Sequence, residues 1–462
     1  MSLHRFARRR VALAVAFAAA ALTALPPPAA AFCGFFVGKA DSKLFNKASQ
    51  VIMVRDGNRT VISMLNDYRG DPSEFALVVP VPTVLERGQI RIGDRKLFEH
   101  VDAWSAPRLA EYYDADPCMA DKLARGQMEQ SARTPMPMSA AKSIARDRAL
   151  GVSVEARYTV GEYDIVILSA KESDGLETWL LRNGYKIPKN ASAALQPYIR
   201  QQLKFFVARV NLDEHAKTGN TWLSPLQFAF ESDRFMLPVR LGMLNADGPQ
   251  DLVVYVLTQK GRVEATNYRT VKVPSDAELP TYVRGDFANV YRALFDEQAK
   301  KEDLRVVFTE YFWDMSWCDP CAADPLSRQE LREAGVFWVV PPAGIAGSNP
   351  PPNAAAPLPV MLTRLHLRYT RDTLPEDLMF QQTQDRQPFQ ARYVLRHPWQ
   401  GDPSACAAAK PYFDQVRERQ EREASTLAGL TGWDVNNIRS KIAFVPVAEQ
   451  KWWETLWPAQ KP

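Results

Sequence analysis

The stretch VIMVRDGNRTVISML, residues 51–65, holds the clearest folding signal in the chain. Two apolar runs with the composition of strands, 51–54 and 60–65, flank Asp56-Gly57-Asn58. A glycine between Asp and Asn suits the backbone of a tight turn, so this stretch predicts a β-hairpin. A period of two, typical of strands, also dominates most of the remaining chain.

Further strands and a few helices are predicted on the same grounds. The strands cover 152–160 with a partner at 163–168, then 251–258, 305–312, 336–340 and 362–369. Four helices are predicted: Asp174 to Gly184 and Ser327 to Gly335, each behind a capping box, then 96–112 interrupted by Pro107, and a solvated helix over 411–427. Strand pairs without a repeating strand–helix–strand period predict an α+β fold of mostly antiparallel β-sheets with a few packed helices.

The first 31 residues have the order of a secretory signal peptide. Four arginines precede an apolar run from Val11 to Leu25, and Ala29-Ala30-Ala31 supplies the small-residue pattern of a cleavage site before Phe32. The sequence therefore predicts a protein exported to the periplasm or the cell exterior. A retained N-terminal anchor is the alternative, and Arg9-Arg10 leaves open export by the general or the twin-arginine route.

Charge and hydropathy exclude two classes of partner. The chain has 57 Lys and Arg against 53 Asp and Glu, and the leader holds four of the arginines and no acid. The mature chain is formally neutral, so it lacks the excess of positive charge that is typical of proteins that bind nucleic acid. No later run reaches the roughly 18 apolar residues of a membrane span, so a soluble mature protein without a membrane span is predicted.

Proline clusters and changes of composition divide the chain into segments. The predicted order is a signal peptide (1–31), an N-terminal β-rich segment (32–118), a flexible linker or excursion (119–150), a central α+β segment (151–343), a proline-rich linker (344–357) and a C-terminal strand and helix segment (358–462).

Five cysteines in an exported chain point to disulfide bonds. The interpretation is a Cys33–Cys118 bond and a local Cys318–Cys321 bond, which leaves Cys406 unpaired. A bond from Cys406 to Cys318 or to Cys321 is the alternative.

The local pair also has a redox interpretation. Trp317-Cys318-Asp319-Pro320-Cys321 resembles the thioredoxin motif, in which a helix N-terminus activates the first cysteine. Here the capping box at Ser327 starts the helix after the motif, so a structural crosslink is favoured over a catalytic pair. Metal binding lacks a second Cys/His pair at ligand spacing, and no metal or cofactor is predicted.

One strand offers a candidate binding face. The side chains of Arg364, His366 and Arg368 alternate with apolar ones, so they share one face and form a possible anion-binding ribbon for a glycan or a carboxylate. The solvated face of an antiparallel strand is the alternative. None of the four histidines after the leader lies at a metal or hydrolase spacing from another, and no phosphate loop or nucleophile elbow is found.

Several runs in order along the chain resemble one family. They are AFCGFF (31–36), FALVVPVP (75–82), GEYDI (161–165), LLRNGYKIP (180–188), NADGPQDL (245–252), CDPC (318–321) and RLHLRY (364–369). As a set they are similar to a bacterial family of exported proteins, domain-of-unknown-function family 2330. The resemblance implies an exported bacterial protein with the local cysteine pair as a family feature, and it implies no activity.

The function predicted from the sequence is a non-enzymatic binding or scaffolding module of the periplasm or cell exterior, with a protein or glycan as the possible partner. The alternatives are a thiol–disulfide oxidoreductase that uses Cys318 and Cys321, and a hydrolase with an unrecognised site.

Overall fold

The computed structural model describes residues 35–36, 45–69, 76–119, 152–183, 191–219, 222–245, 248–316, 323–339 and 359–446. The predicted signal peptide (1–31), almost all of the 119–150 segment and the predicted 344–357 linker lie outside the described residues. So do Cys33, Cys318 and Cys321.

Twenty strands are found in the described part of the chain. They are β1 Phe35–Phe36, β2 Phe45–Asp56, β3 Arg59–Arg69, β4 Ala76–Val81, β5 Ile90–Ile92, β6 Arg108–Tyr113, β7 Val152–Val160, β8 Tyr163–Ala170, β9 Lys204–Val210, β10 Leu226–Glu231, β11 Met236–Leu237, β12 Gln250–Thr258, β13 Val263–Ala265, β14 Arg269–Lys272, β15 Ala277–Leu279, β16 Val306–Asp314, β17 Met361–Tyr369, β18 Leu378–Gln382, β19 Phe389–Gln390 and β20 Arg392–His397.

Eight α-helices lie in the same ranges. They are α1 Arg95–Ser105, α2 Ser173–Arg182, α3 Ala191–Arg200, α4 Leu212–Thr218, α5 Phe287–Lys301, α6 Arg328–Glu333, α7 Ala409–Thr431 and α8 Val435–Lys441. The α+β class is confirmed, because the sheets are mostly antiparallel and the helices pack against them.

A nine-stranded sheet, called the large sheet below, runs in the order β14-β16-β17-β12-β2-β3-β10-β5, with β19 beside β16. The hairpin predicted from residues 51–65 is its β2–β3 pair. The next strand on the other side of β2 is β12, which pairs with it in parallel and places Val254 opposite Val51. The large sheet thus joins strands from distant parts of the sequence.

The remaining strands form three smaller sheets. A five-stranded antiparallel sheet has the order β1-β4-β9-β8-β7, and two three-stranded sheets have the orders β11-β18-β13 and β15-β20-β6. The last of these is parallel throughout.

The two larger sheets pack face to face over the main hydrophobic core. Side chains such as Met53 and Val254 of the large sheet meet Phe206 and Ile165 of the five-stranded sheet in one buried cluster. Alternate residues of the large sheet, such as Ile52, face the other way and pack on α1 and α6. The outer face of the five-stranded sheet packs on α2 and α3. The central strands of the large sheet thus bury both of their faces, as the consecutive buried residues Val51, Ile52, Met53 and Val54 show.

Several predicted elements are confirmed within a residue or two of their bounds. Strands β7, β8, β12, β16 and β17 match the predicted runs. At α6 the predicted capping box forms, since Ser327 Oγ accepts from the Glu330 N–H and the Glu330 side chain accepts from the Ser327 N–H. Gly335 then takes a φ of +97° at the end of this helix, a conformation that suits glycine.

Other local predictions were wrong, for identifiable reasons. The helix expected over 96–112 ends at Ser105, and Pro107 is followed by strand β6 rather than by more helix. Residues 337–339, expected in a strand, form a 3₁₀ turn. Helix α2 is present, but Glu172 is its N-cap and makes no side-chain cap bond, so the box expected at Asp174 is absent.

The helix expected over 411–427 is the longer α7, and it is not simply solvated. One face buries Phe413, Val416, Ala424 and Leu427, and α7 contacts α5, α8 and β15. The prediction gave weight to the many charged residues and overlooked apolar residues spaced three to four apart. Such spacing is typical of an amphipathic helix that packs on one face.

The disulfide pairing differs from the prediction. Cys118 bonds Cys406, so the Cys33–Cys118 bond and the assignment of Cys406 as unpaired or bonded to Cys318 or Cys321 were wrong. The bond ties the segment after β6 to the segment before α7. The parallel pairing of β6 with β20 brings these two segments together, which cysteine spacing alone does not reveal. Among the described helices, none is long and apolar enough to cross a membrane.

Candidate functional site

The three residues of the predicted cationic face all lie on β17, in the interior of the large sheet. Arg364 stands opposite Tyr255 of β12 on one side and Tyr311 of β16 on the other. The period of two places Arg364, His366 and Arg368 on one face, as predicted. Burial differs from the expectation of a solvated face, because Arg364 is buried.

Glu310 is the residue that the sequence analysis missed, and it organises this face. The pairing of β16 with β17 shifts between Thr309 and Tyr311, so Glu310 is the extra residue of a β-bulge. Such a bulge redirects a side chain relative to the regular pleat. Glu310 is fully buried, and its carboxylate reaches Arg364 and His366 in the middle of β17.

Arg364 is held by two carboxylates from different elements. Its Nε donates to Glu310 Oε2 at 2.6 Å and its Nη1 donates to Asp102 Oδ1 of α1 at 2.7 Å. The guanidinium also lies over the Tyr255 ring, 5.3 Å from its centre, and the Tyr255 hydroxyl donates to the same Asp102 oxygen at 2.6 Å. These bonds fasten α1 to the centre of the large sheet.

His366 is held in the same way from the side of α5. Its Nδ1 lies 2.6 Å from Glu310 Oε1, to which the Tyr291 hydroxyl also donates. The imidazole stacks on Phe295 with ring centres 3.6 Å apart and planes 2° apart. We call Glu310, Arg364, His366, Asp102, Tyr255 and Tyr291 the Glu310 cluster.

Arg368, nearer the end of β17, has its own partners. Its Nε and Nη2 donate to the two oxygens of Asp251 at 2.7 and 2.8 Å, the paired geometry that suits a guanidinium and a carboxylate. Its Nη1 donates to Asp296 of α5.

The charges around Glu310 determine its protonation state. Burial alone raises the pKa of Glu310, but the charges of His366 and Arg364, with hydrogen bonds from His366 and Tyr291, lower it to about 2. Burial raises the pKa of the Tyr255 and Tyr291 hydroxyls, which therefore stay neutral donors. At neutral pH the cluster thus contains a permanent ion pair with neutral phenols around it.

This arrangement argues against the anion-binding hypothesis for the face. Arg364, His366 and Arg368 meet four carboxylates of the chain itself, those of Glu310, Asp102, Asp251 and Asp296. An incoming anion would have to displace these carboxylates, and a buried charge that loses its partner is costly.

The cluster is also poorly suited to acid–base catalysis at neutral pH. A general acid or base works best when its pKa lies near the working pH. Glu310, with a pKa of about 2 and no exposed surface, neither releases nor accepts protons under those conditions. The contacts of the Glu310 cluster as a whole connect β16, β17, α1 and α5.

The histidines follow a common pattern. His100 Nδ1 lies 2.6 Å from Glu330, His397 Nε2 lies 2.7 Å from Glu111, and His215 Nδ1 lies 3.8 Å from Glu162. Together with His366 and Glu310, each of the four is thus placed beside a glutamate. In the described part of the chain, no group of three or more His, Cys, Asp or Glu side chains is placed to hold a metal ion.

One sequence signal could have located the cluster. Glu310 is the single acid inside the run VVFTEYFW, residues 306–313, whose other members are apolar or neutral. A carboxylate in such a strand needs a buried partner, and alternating arginines on a neighbouring strand supply one. Which strand supplies the partner is known only from the sheet topology, in which β17 pairs with β16.

Comparison with known proteins gives one match. A family model described as "Uncharacterized protein conserved in bacteria (DUF2330)" matches residues 27–381, which include β1 to β17 and the Glu310 cluster. No curated protein matches the chain. No solved structure matches it either.

Proposed function

The chain belongs to this family of uncharacterised bacterial proteins (DUF2330), and from that premise we propose that it is an exported, non-enzymatic binding or scaffolding protein of the periplasm or cell exterior. The Cys118–Cys406 bond carries the proposal. Disulfides persist in oxidising compartments and are rare in the reducing cytosol. The signal-peptide pattern of residues 1–31 supports the same compartment.

The non-enzymatic part of the proposal rests on how the buried charges are used. Glu310 and Arg364 are the buried carboxylate and guanidinium at the centre of the large sheet, and each forms ion pairs with other residues of the chain. In an enzyme, by contrast, side chains with shifted pKa values line a cleft, where they can reach a substrate. The Glu310 cluster instead connects strands and helices within the protein.

Export is tested by expressing the full chain in a bacterial host and fractionating the cells. The expected product is periplasmic or extracellular, begins at Phe32, and has Cys118 and Cys406 protected from alkylation until it is reduced. A Val15→Asp variant, which places a charge in the apolar run, serves as the control and should stay in the cytoplasm. Recovery of the intact chain in the cytoplasm with both thiols free would overturn the proposal.

The oxidoreductase alternative is tested on the local cysteine pair. A Cys318→Ser/Cys321→Ser variant is compared with the parent in a disulfide-reduction assay, beside a Cys118→Ser/Cys406→Ser variant. We expect both variants to have the same reductase activity as the parent. Turnover that disappears only in the Cys318→Ser/Cys321→Ser variant would show an oxidoreductase.

A further inference from the structure

A cavity of about 400 Å³ lies between α3, the 3₁₀ turn over Arg240–Asn245 and the loop that follows β17. Its walls include the apolar residues Ala194, Met243 and Leu374 and the charged residues Arg240 and Arg371. Its volume lies in the range of small-molecule sites, and its walls combine apolar with charged side chains.

The walls of the cavity are fixed by one buried carboxylate. Asp377 Oδ1 accepts from the Tyr198 hydroxyl of α3 at 2.7 Å and from the backbone N–H groups of Val239 and Arg240 at 3.0 and 3.1 Å. One side chain therefore joins α3, the 3₁₀ turn and the loop. A cavity whose walls are already held together needs little reorganisation on binding.

The loop itself is also held in place. The Leu374 N–H donates to the Thr370 carbonyl at 3.1 Å, and the Tyr268 hydroxyl bonds both backbone groups of Glu376. Arg371 projects from this braced turn and is exposed.

Two arginines, Arg240 and Arg371, line the cavity together with one carboxylate, that of Asp372. Arg371 has no ion-pair partner among the residues that the structure describes, although Asp372 beside it also lines the cavity. Arg240 pairs with Glu376, whose side chain is 67% exposed while that of Arg240 is 16% exposed. An exposed carboxylate held by one pair is displaced at little cost.

Arg240 also has a hydrogen-bond donor without an acceptor. Its Nε is buried and has no hydrogen-bond acceptor among the described residues. A buried donor without an acceptor costs about 1–3 kcal/mol, so native structures supply one from the protein, a water or a ligand.

We propose that this cavity binds a small organic carboxylate with an apolar body. Arg371 and Arg240 hold the carboxylate, and Met243, Leu244 and Pro375 contact the apolar body. Glu376 competes with the ligand for Arg240. The proposal rests on the binding role above and gives that role a site and a class of ligand.

The test is calorimetric titration of the full, oxidised protein with octanoate, beside acetate and 1-octanol at the same concentration. Octanoate should bind, and acetate and 1-octanol should bind at least about tenfold more weakly, because each lacks half of the recognised chemistry. The Arg371→Ala variant should bind octanoate about tenfold more weakly.

Two further variants separate the site from unspecific effects. Glu376→Gln removes the internal competitor and should tighten octanoate binding about threefold. Arg234→Ala removes an exposed arginine that does not line the cavity, so its affinity should equal that of the parent. Because Arg371 and Glu376 are exposed, their replacement should leave the fold intact, and a thermal melt checks this.

Three results would overturn the site: no heat with octanoate, equal affinity in the Arg371→Ala and parent proteins, or phosphate binding as tight as octanoate binding. None of these bears on export or on the absence of turnover. Conversely, a cytoplasmic or catalytically active chain would overturn the proposed function whatever the titration shows, so the two failures are distinguishable.

Discussion

Arg364 Nε lies 2.6 Å from Glu310 Oε2 in the middle of the large sheet, and both side chains are buried, at 8% and 0% exposure. Two charges removed from water in this way are stable only as a pair. The pair therefore ties β16 to β17 and makes each residue dependent on the other.

Glu310→Gln should destabilise the protein by about 3–5 kcal/mol, because Arg364 keeps a buried charge with less compensation. Urea unfolding measures the change. The matched control is Glu231→Gln, which breaks the Arg59–Glu231 pair whose side chains are about 60% exposed, and it should cost less than about 1 kcal/mol. Equal effects of the two variants would contradict the role given to burial.

The same carboxylate makes the protein sensitive to acid. The pKa of Glu310 is about 2 in the folded chain against an ordinary 4.5, so its stabilisation is fully present above pH 4.5 and is lost as the pH falls toward 2. By pH 3 the loss should reach about 2 kcal/mol. Urea midpoints at pH 6 and pH 3 measure it. The Glu310→Gln protein should lose about that much less, and an equal loss would assign the acid sensitivity elsewhere.

Glu423 on α7 is expected to act in the opposite sense. Its burial raises its pKa to about 7, and the Arg419 guanidinium, 3.4 Å away, only partly offsets this. The folded chain then keeps a proton that the unfolded chain loses, so stability falls as the pH rises from 4.5 to 7.

Glu423→Gln should accordingly stabilise the protein by roughly 1–3 kcal/mol at pH 8 and leave it unchanged at pH 4. Thermal melts at the two pH values measure this. Glu418→Gln, an exposed position on the same helix, is the control and should stay within about 0.5 kcal/mol at both. A stabilisation of the same size at pH 4 would rule out titration of Glu423 as the cause.

Reduction of the Cys118–Cys406 bond should lower the free energy of unfolding by roughly 2–5 kcal/mol, because the bond closes a long loop of the unfolded chain. Denaturation with and without reductant measures this. The Cys118→Ser/Cys406→Ser protein should match the reduced parent. Peptide mapping provides an independent check, and a Cys33–Cys118 peptide would contradict the pairing.

The sequence predicts local elements well and long-range partners poorly. The hairpin around Gly57 and the cap at Ser327 are encoded in neighbouring residues, and both form. The parallel pairing of β2 with β12 has no such local code, since it depends on packing between distant segments. The partner of Cys118 follows from the β6–β20 pairing, which is equally non-local.

The charged face of β17 shows the same limit. Alternation places Arg364 and His366 on one side, but alternation does not say whether that side is wet or buried. The bulge that redirects Glu310 is a departure from the regular period, so a regular pattern does not predict it.

The strand order of the large sheet has a consequence for synthesis. A ribosome delivers the β2–β3 hairpin early, but its neighbour β12 comes later, and β17, which completes the middle of the sheet, later still. Until then the nascent chain presents an apolar strand with an unpaired edge, which is the situation that attracts chaperones and invites aggregation. The middle of the large sheet is therefore complete only once β17, in the last third of the chain, has been synthesised, and truncation before β17 should yield insoluble product.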